Sequence, residues 1–413
     1  MTGSEAPTAL VAFVALLVAM PLVAYASRRL RLPYTVALVL VGIVVSALPL
    51  RGQLQVSPSV VVGLLVPGLV FEAAYRLDGD ELRRTFGGIA LLAVPGVLVS
   101  AAVVALVLHL TTGLPGNEAF LVGAMVSATD PVAVVATMRR LRAPRRLVTL
   151  VDAESLFNDG TGILVFTIAL ASFGSPRTLA EDAVAFVAGI AVSVLVGAVA
   201  GFLIAKAAAR TADHLIELTL TLLAAYGTYL VADLVHESGI IATVVAGIVL
   251  GTYGRRVGLS PRAQEAIDDV WEFLAFVLTA IVFLLIGIAI PLDALRGALA
   301  PIVWGVAAIL VGRALVIYGL LGGTAHLAHR FGGAPRLPVS WLHLMNWAGL
   351  RGAIATAVAL SLPADIPDRT LIQGITFGIV LFTLIVQGAT AERVARWAGV
   401  AEDAEVAARR PGS

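Results

Sequence analysis

Seven ionisable side chains fall inside long apolar runs of this chain: Glu72, Asp130, Asp152, Glu154, Asp159, Arg313 and Arg351. A charge at membrane depth is costly, and such residues normally face a bundle interior or a water-filled cavity, where they mark ion or proton pathways. For any one of them the plain alternative is a structural ion pair. For the cluster inside the runs at about 117–138 and 150–173 that alternative fails for the group, because the acids there outnumber the bases within the same runs, which have none. Acids that pairing cannot neutralise can hold a proton or a hard monovalent cation. Burial disfavours the charged form of an acid and a bound cation favours it, so the two ligands compete for one group. If only loaded states switch access between the two sides, two gradients become coupled. Asp233, Glu237, Asp268, Asp269 and Glu272 sit nearer the ends of apolar runs and read as interfacial.

The residues around these acids say how they would be held. The fifth apolar run contains Ser127-Ala128-Thr129-Asp130-Pro131-Val132. Pro131 has no amide hydrogen and clashes with the preceding turn, and it disfavours helical geometry at Asp130. The helix should therefore break near mid-span. Backbone left unsatisfied there is tolerated only where it is buried in protein or lines a cavity. Such a break offers carbonyl, hydroxyl and carboxylate oxygens together, the ligands a monovalent cation wants. The next run reads Asp152-Ala153-Glu154-Ser155-Leu156-Phe157-Asn158-Asp159-Gly160. Ser155 and Asp159 are four apart and share one helix face, while Glu154 and Asn158 share the neighbouring one. One face presents a hydroxyl and a carboxylate to a ligand; the other presents an acid and an amide that can orient neighbours. Gly160 and Gly162 would let another helix approach beside Asp159. In the twelfth run, Gly349-Leu350-Arg351-Gly352 marks a second weakened helix. The nearest partner expected for Arg351 is Glu154.

The elements that must position these groups are transmembrane helices. Hydrophobic residues make up 59% of the 413 and charged residues 13%, and the mean hydropathy is +0.96. An ordinary soluble domain is about half apolar and a quarter charged. There are no cysteines, so disulfides and thiolate metal sites are excluded, and no basic run with interleaved aromatics supports nucleic-acid binding. Apolar stretches long enough to cross a bilayer recur at about 8–26, 33–50, 57–75, 87–110, 117–138, 150–173, 180–205, 215–234, 237–252, 267–290, 297–322, 340–361 and 370–389. The separation of the eighth from the ninth is the weakest. If the seventh span joins two six-span halves, spans 5 and 12 correspond. Secondary transporters often carry interrupted helices at such matching positions of inverted repeats.

Connections between the thirteen spans alternate in arginine content. Of 28 basic residues, 22 fall in alternate connections beginning with Arg28, Arg29 and Arg31; four (Arg51, Arg177, Arg296 and Arg369) fall in the other set; Arg313 and Arg351 lie inside spans. The positive-inside rule makes the crowded set cytoplasmic, which puts the N-terminus outside and the C-terminus inside. Ala24-Tyr25-Ala26 resembles a signal-peptide cleavage site, but the basic residues follow the first span instead of preceding it. A retained first helix is expected. No connection is long enough for a second folded domain. Residues 390–413 read as a short cytoplasmic tail, either an amphipathic helix or disordered. The six histidines (His109, His214, His236, His326, His329, His343) lie mostly at loops or span ends and read as surface or packing residues.

With these residues in view, four segments resemble the cation:proton antiporter-1 family, and most closely its NhaP-like prokaryotic branch. They are Ser127 to Val132, Glu154-Ser155-Leu156-Phe157-Asn158-Asp159-Gly160, Gly349-Leu350-Arg351-Gly352-Ala353 and Val70-Phe71-Glu72-Ala73-Ala74. The resemblance implies an all-α fold of thirteen helices in two inverted six-helix repeats around helix 7, with helices 5 and 12 unwound, and a homodimer in the cell membrane. It implies a scaffold within 1–75 and 215–290 and a moving core within 87–173 and 297–389. It further implies that Asp159 is the essential cation- and proton-binding carboxylate. Asp130, the carbonyl of Thr129, Ser155 and Glu72 would complete or support coordination of Na⁺, and Glu154 and Arg351 would pair between helices 6 and 12. Asn158 stands where electrogenic relatives carry a second aspartate, which implies electroneutral one-for-one exchange serving sodium transport and pH homeostasis. No cofactor is implied beyond the transported Na⁺, or Li⁺, and H⁺. A K⁺/H⁺ or mixed exchanger is the nearest alternative. A sodium-coupled symporter for an organic solute would want an aromatic or basic pocket, and an intramembrane aspartyl protease using Asp130 and Asp159 would want a Gly-x-Gly-Asp motif. Neither feature is present.

Overall fold

The computed structural model describes residues 5–30, 32–46, 61–174, 178–211, 213–290, 292–332 and 337–400. Every regular element among them is helical, and apart from a short helix Leu292–Gly297 the elements line up as thirteen rods. They are α1 (Glu5–Leu30), α2 (Tyr34–Ser46), α3 (Val66–Tyr75, continuing a π-helical turn Val61–Leu65), α4 (Gly79–Thr112), α5 (Gly116–Met125 and Val132–Arg140) and α6 (Arg145–Ala171). After α7 (Leu179–Ala208) come α8 (His214–Leu234), α9 (Gly239–Val257), α10 (Pro261–Ala289), α11 (Leu299–Gly332), α12 (Val339–Trp347 and Ala353–Leu360) and α13 (Arg369–Trp397). Seven of the rods are continuous apolar helices of 19 to 34 residues, long enough to cross a membrane. The breaks fall in the fifth and twelfth rods, the same place in each six-helix half on either side of α7, as inverted repeats require.

Local chemistry explains most boundaries. Residues 235–238 separate α8 from α9: His236 turns the chain at φ +60°, and the Ser238 hydroxyl caps α9 by accepting from the Ile241 amide. Several helices outrun their apolar stretches. The Asp78 side chain caps α4 through the amides of Asp80 and Glu81, so that helix starts with an amphipathic turn before its apolar run begins at position 87. At the other end, α13 runs through the amphipathic segment Ala389–Trp397. The start of the expected tail is therefore helical, and residues 401–413 lie outside the described residues. Pro95 sits in a π-helical turn, Leu92–Gly96, within α4, where the missing amide is absorbed by the wider turn.

Small residues set how closely the rods pack. The buried face of α7 includes Gly189, Ser193, Gly197, Gly201 and Ala205, one small residue every four positions. Gly197 and Gly201 lie against Ala242 and Ala246 of α9, and the other faces of α7 carry exposed Leu195, Phe202 and Leu203. This is the pattern of a helix that packs by backbone approach on one side and meets lipid on the other. Between α2 and α10, Gly42 and Gly287 face each other so closely that a Cβ on either would meet opposing backbone. A separate apolar cluster joins α3, α7, α8, α9 and α10 around Trp271, whose ring lies 4.7 Å from Phe71 and whose indole N–H donates to Thr221 at 2.8 Å.

Gly287→Val should destabilise the protein by about 1–3 kcal/mol, the usual cost of overpacking. Gly297→Ala, whose added Cβ meets nothing within 4 Å, should stay within about 0.5 kcal/mol of the parent. Thermal unfolding in detergent checks both.

Candidate functional site

The two broken helices meet at their breaks. The Asp130 amide donates to the Leu350 carbonyl at 2.8 Å, a backbone bond from one interruption to the other. Each broken helix leaves two loose ends here, and charge is arranged on them by sign. The Asp130 carboxylate accepts from the Val132 amide at 3.3 Å and from the Ala353 amide at 3.4 Å, the first residues of the second halves of α5 and α12. Both are N-terminal ends, where a negative charge is favoured. Both bonds are longer than the usual N–H···O range, so the carboxylate is oriented without being used up. A Cβ on Gly352 would collide with it, which is why a glycine precedes Ala353.

Arginine takes the other two ends. Arg351 Nε donates to the Val126 carbonyl at 2.8 Å, just past the first half of α5, and its Nη1 donates to the Gly349 carbonyl, just past the first half of α12. Its backbone amide donates to Thr383 Oγ1 at 3.0 Å, at the start of a π-helical turn in α13. The expected partnership with Glu154 is not made. Glu154 instead forms a two-pronged ion pair with Arg313 of α11, through Nη1 to Oε1 and, at 3.0 Å, Nη2 to Oε2. Arg313 also donates through Nη2 to the Met345 carbonyl at 2.9 Å, in the last turn of the first half of α12. The reason for the difference is tertiary. The chain has two mid-span arginines, and the one nearer the break is spent on the break's own carbonyls. The fork–fork geometry with Glu154 goes to the arginine on the helix packed behind it. Both members are buried, with side-chain exposures of 6% and 3%.

On α6, the face carrying Glu154 and Asn158 holds this assembly. Asn158, 1% exposed, brackets Thr129: its Nδ2 donates to Thr129 Oγ1 at 2.7 Å and its Oδ1 accepts from the Thr129 amide at 3.2 Å. The Ser155 hydroxyl donates to the Thr129 carbonyl at 2.7 Å. Gly162 lies against Ala128 and Ser127 of the same break, and Gly160 against Ile241 of α9. The two glycines thus admit two different neighbours, one on each side of Asp159.

These groups line a cavity of about 90 Å³. Asp130, Thr129, Ser155 and Asp159 are in its wall, together with Asp152 and Gly352. Apolar residues close it: Val66, Leu69, Val70 and Ala73 of α3, and Phe283 of α10 beside Thr279. Small-molecule sites usually run to about 300–1,000 Å³. This one suits an ion with a few waters. Among the described residues Asp159 makes no hydrogen bond and no ion pair; its electrostatic neighbour is Asp130, of like charge. Asp152, by contrast, accepts from Arg139 Nη2 at 2.8 Å.

Glu72 is not brought into this cavity. The α3 face that lines it carries positions 66, 69, 70 and 73, one helical stripe, and Glu72 falls on its flank. There Arg76, one turn on, pairs with it at 2.7 Å, and Arg76 also reaches Glu272 of α10 at 3.2 Å. Pro131 ends the break in α5 and precedes the first helical residue, Val132. Two further buried acids lie apart from the cavity. Glu217, fully buried, accepts from the Ser260 amide at 2.8 Å at the start of α10, and Glu118 meets Asp368 just before α13. His343 shares a hydrogen bond of 2.8 Å with the Tyr318 hydroxyl. The sequence left two contributors without a role. Arg313 carries its signal as a charge inside a span. Thr383 carries none, because a threonine in an apolar helix usually bonds only its own backbone.

The sequence profile of the transmembrane sodium/hydrogen exchangers matches residues 12–397. The chain is 38% identical over 370 residues to the low-affinity Na⁺/H⁺ antiporter NhaS1 of Synechocystis, covering 88% of this chain and 69% of that protein. It is 36% identical over 381 residues to the Na⁺/H⁺ antiporter ApNhaP of Aphanothece halophytica, covering 90% and 71%. Against the Na⁺/H⁺ antiporter NhaH of Halobacillus aidingensis identity is 32% over 392 residues, covering 91% and 94%. Among solved structures, the sodium proton antiporter MjNhaP1 of Methanocaldococcus jannaschii at pH 8 superimposes with a TM-score of 0.74 at 20% identity, over 95% of this chain and 99% of that one. At that identity the likeness establishes the fold.

A double-mutant cycle distinguishes the two arginines. Arg313→Met should cost about 3–5 kcal/mol by stranding Glu154, and adding Glu154→Gln should recover much of it. Glu154 and Arg351 should couple by less than about 1 kcal/mol in the same unfolding measurement.

Proposed function

The chain belongs to the sodium/hydrogen exchanger family, and on that premise we propose that it is a multi-pass antiporter exchanging Na⁺ for H⁺ across the cell membrane. The observation that carries the reading is Asp159, an acid without a neutralising partner in the wall of an ion-sized cavity, beside the broken backbone of α5 and α12.

Asp159 is the exchanging group. It gives up its proton when a cation arrives and takes one back when the cation leaves, so the two are never carried together. Asp130, Ser155 and the Thr129 carbonyl supply the surrounding oxygens. Glu72, tied to Arg76, acts from the cavity's flank on the potential around it. The Asn158 amide is committed to Thr129 and adds no second exchangeable proton, which supports one-for-one electroneutral turnover. Glu154, Arg313 and Arg351 hold the crossing together and carry no ion. Cavity size supports an inorganic cation over an organic solute.

Helices α4–α6 and α11–α13 form a core that carries the site past a scaffold of α1–α3 and α8–α10, the N-terminus is outside and the C-terminus cytoplasmic, and two copies assemble through scaffold helices within lipid. The cavity wall is shared between both groups of helices, α3 and α10 on one side and α5, α6 and α12 on the other. Relative sliding would therefore change which side it opens to.

In proteoliposomes with a pH-reporting dye, added Na⁺ should move protons, Li⁺ should substitute, and K⁺ should act weakly; a larger response to K⁺ would reassign the cargo. Asp159→Ala should abolish the signal for every cation, and cation-driven proton flux from that protein would remove Asp159 from its role. Competition requires that lowering pH raise the apparent KM for Na⁺ with little change in the maximal rate. Asn158→Asp should make exchange sensitive to an imposed membrane potential to which the parent is indifferent.

A further inference from the structure

Asp152 and Arg139 have no part in the exchange described so far, yet their placement is particular. Asp152 precedes Asp159 by seven residues on α6. That is two turns, so the carboxylates share a helix face about 10 Å apart along the axis. Both line the same cavity. Arg139, in the last turn of the second half of α5, lines a wider vestibule of about 570 Å³ together with Arg76, Arg255, Asp268 and Glu272. Its guanidinium donates to Asp152 at 2.8 Å. One ion pair therefore stands where the vestibule and the ion-sized cavity meet.

Arg256, Asp78 and Asp80 also line the vestibule, and the charges nearest the pair are held by one another. Arg76 is ion-paired with Glu72 and Glu272, and Arg255 with Asp268. Those pairs sit on α3, α9 and α10, whereas Arg139 and Asp152 sit on α5 and α6. The Arg139 side chain is 54% exposed and Asp152 18%. The base reaches in from solvent to an acid at the cavity's rim. The half-exposed guanidinium can swing back into solvent, whereas the largely buried carboxylate it leaves needs another positive charge in its place. A cation arriving from the vestibule offers Asp152 the same charge that Arg139 does.

We propose that Asp152 is an outer cation station on the route to Asp159, and that Arg139 is a tethered cation that holds the station until an inorganic monovalent cation replaces it. This rests on the Na⁺/H⁺ exchange proposed above and adds its approach step. The arginine acts as a competitive ligand built into the chain: it keeps Asp152 ionised and in place, and it discourages any group that cannot neutralise a carboxylate from passing the rim. The pair lies at the arginine-crowded end of the bundle, the end that the positive-inside rule assigns to the cytoplasm. The station would therefore serve cations leaving the cell.

The test is the sign of two KM shifts in everted vesicles, where the cytoplasmic face is outward. Arg139→Gln removes the competitor and leaves the acid, so the apparent KM for Na⁺ should fall about threefold. Asp152→Asn removes the acid and leaves an unbalanced guanidinium at the rim, so KM should rise about threefold, the effect of one screened charge at 5–10 Å. The maximal rate should change less than KM in both. The double variant should return to within about twofold of the parent, and choline chloride at high ionic strength should compress all the differences. If the pair were only a clamp, both single variants would break the same bond and move KM in the same direction, which would overturn the proposal; so would no shift in either. Should Asp152→Asn fail to assemble, Arg139→Gln decides alone, since an unchanged or raised KM contradicts the competitor. Vesicles of the parent protein that move no protons on Na⁺ addition would overturn the exchange reading instead, and so the two failures are distinguishable.

Discussion

Two helices that stop in mid-membrane create four half-helix ends with no bulk water to satisfy them. Everything else in the site follows from how those ends are neutralised. Asp130 serves the two N-terminal ends through the Val132 and Ala353 amides, and Arg351 serves the two C-terminal ends through the Val126 and Gly349 carbonyls. The arrangement pairs helix-end charge with side-chain charge of opposite sign. It also holds acid and base apart on opposite sides of the crossing, so that neither cancels the other.

That separation leaves Asp159 available. A carboxylate buried beside a free arginine would become half of an ion pair, stable and inert. Here the nearby bases are already committed: Arg351 to carbonyls, Arg313 to Glu154 and Met345, Arg139 to Asp152. Asn158 and Ser155 are used to pin Thr129, which fixes the break against α6. The remaining polar capacity of the cavity belongs to Asp159 and to the oxygens around it. On the exchange proposed above, a site that releases its ligand every cycle cannot supply its own permanent counter-charge.

Much of this was legible in the residues. Pro131 and the glycines flanking Arg351 identify both breaks because proline and glycine act on the backbone directly, wherever the helix ends up. The spacing puts Ser155 and Asp159 on the side of α6 that lines the cavity and Glu154 and Asn158 on the neighbouring side, since helical periodicity needs no tertiary information; that Ser155 joins Asn158 in holding Thr129 is a tertiary contact the spacing does not show. The arginine alternation separates thirteen spans for the same reason. What was not legible is which distant group each side chain meets. Glu154 has two arginines within reach of its helix, and the choice of Arg313 over Arg351 depends on how α11 packs. Glu72 sits on a helix that does line the cavity, yet a rotation of one residue, and Arg76 a turn away, take it to the flank. Helix ends such as the run of α13 to Trp397 were short in the sequence reading, because amphipathic turns extend a rod past its apolar stretch.

The central claim is that one carboxylate cavity holds a proton or a cation in turn. It can be tested without any transport, on purified protein in detergent, by titrating Na⁺ into weakly buffered solution and counting protons released per cation bound. Isothermal titration in buffers of different ionisation enthalpy gives the same count. Mutually exclusive binding at Asp159 predicts a release that approaches one proton per Na⁺ at acidic pH and declines as the solution becomes alkaline. Saturable Na⁺ binding with no proton released at any pH would contradict it.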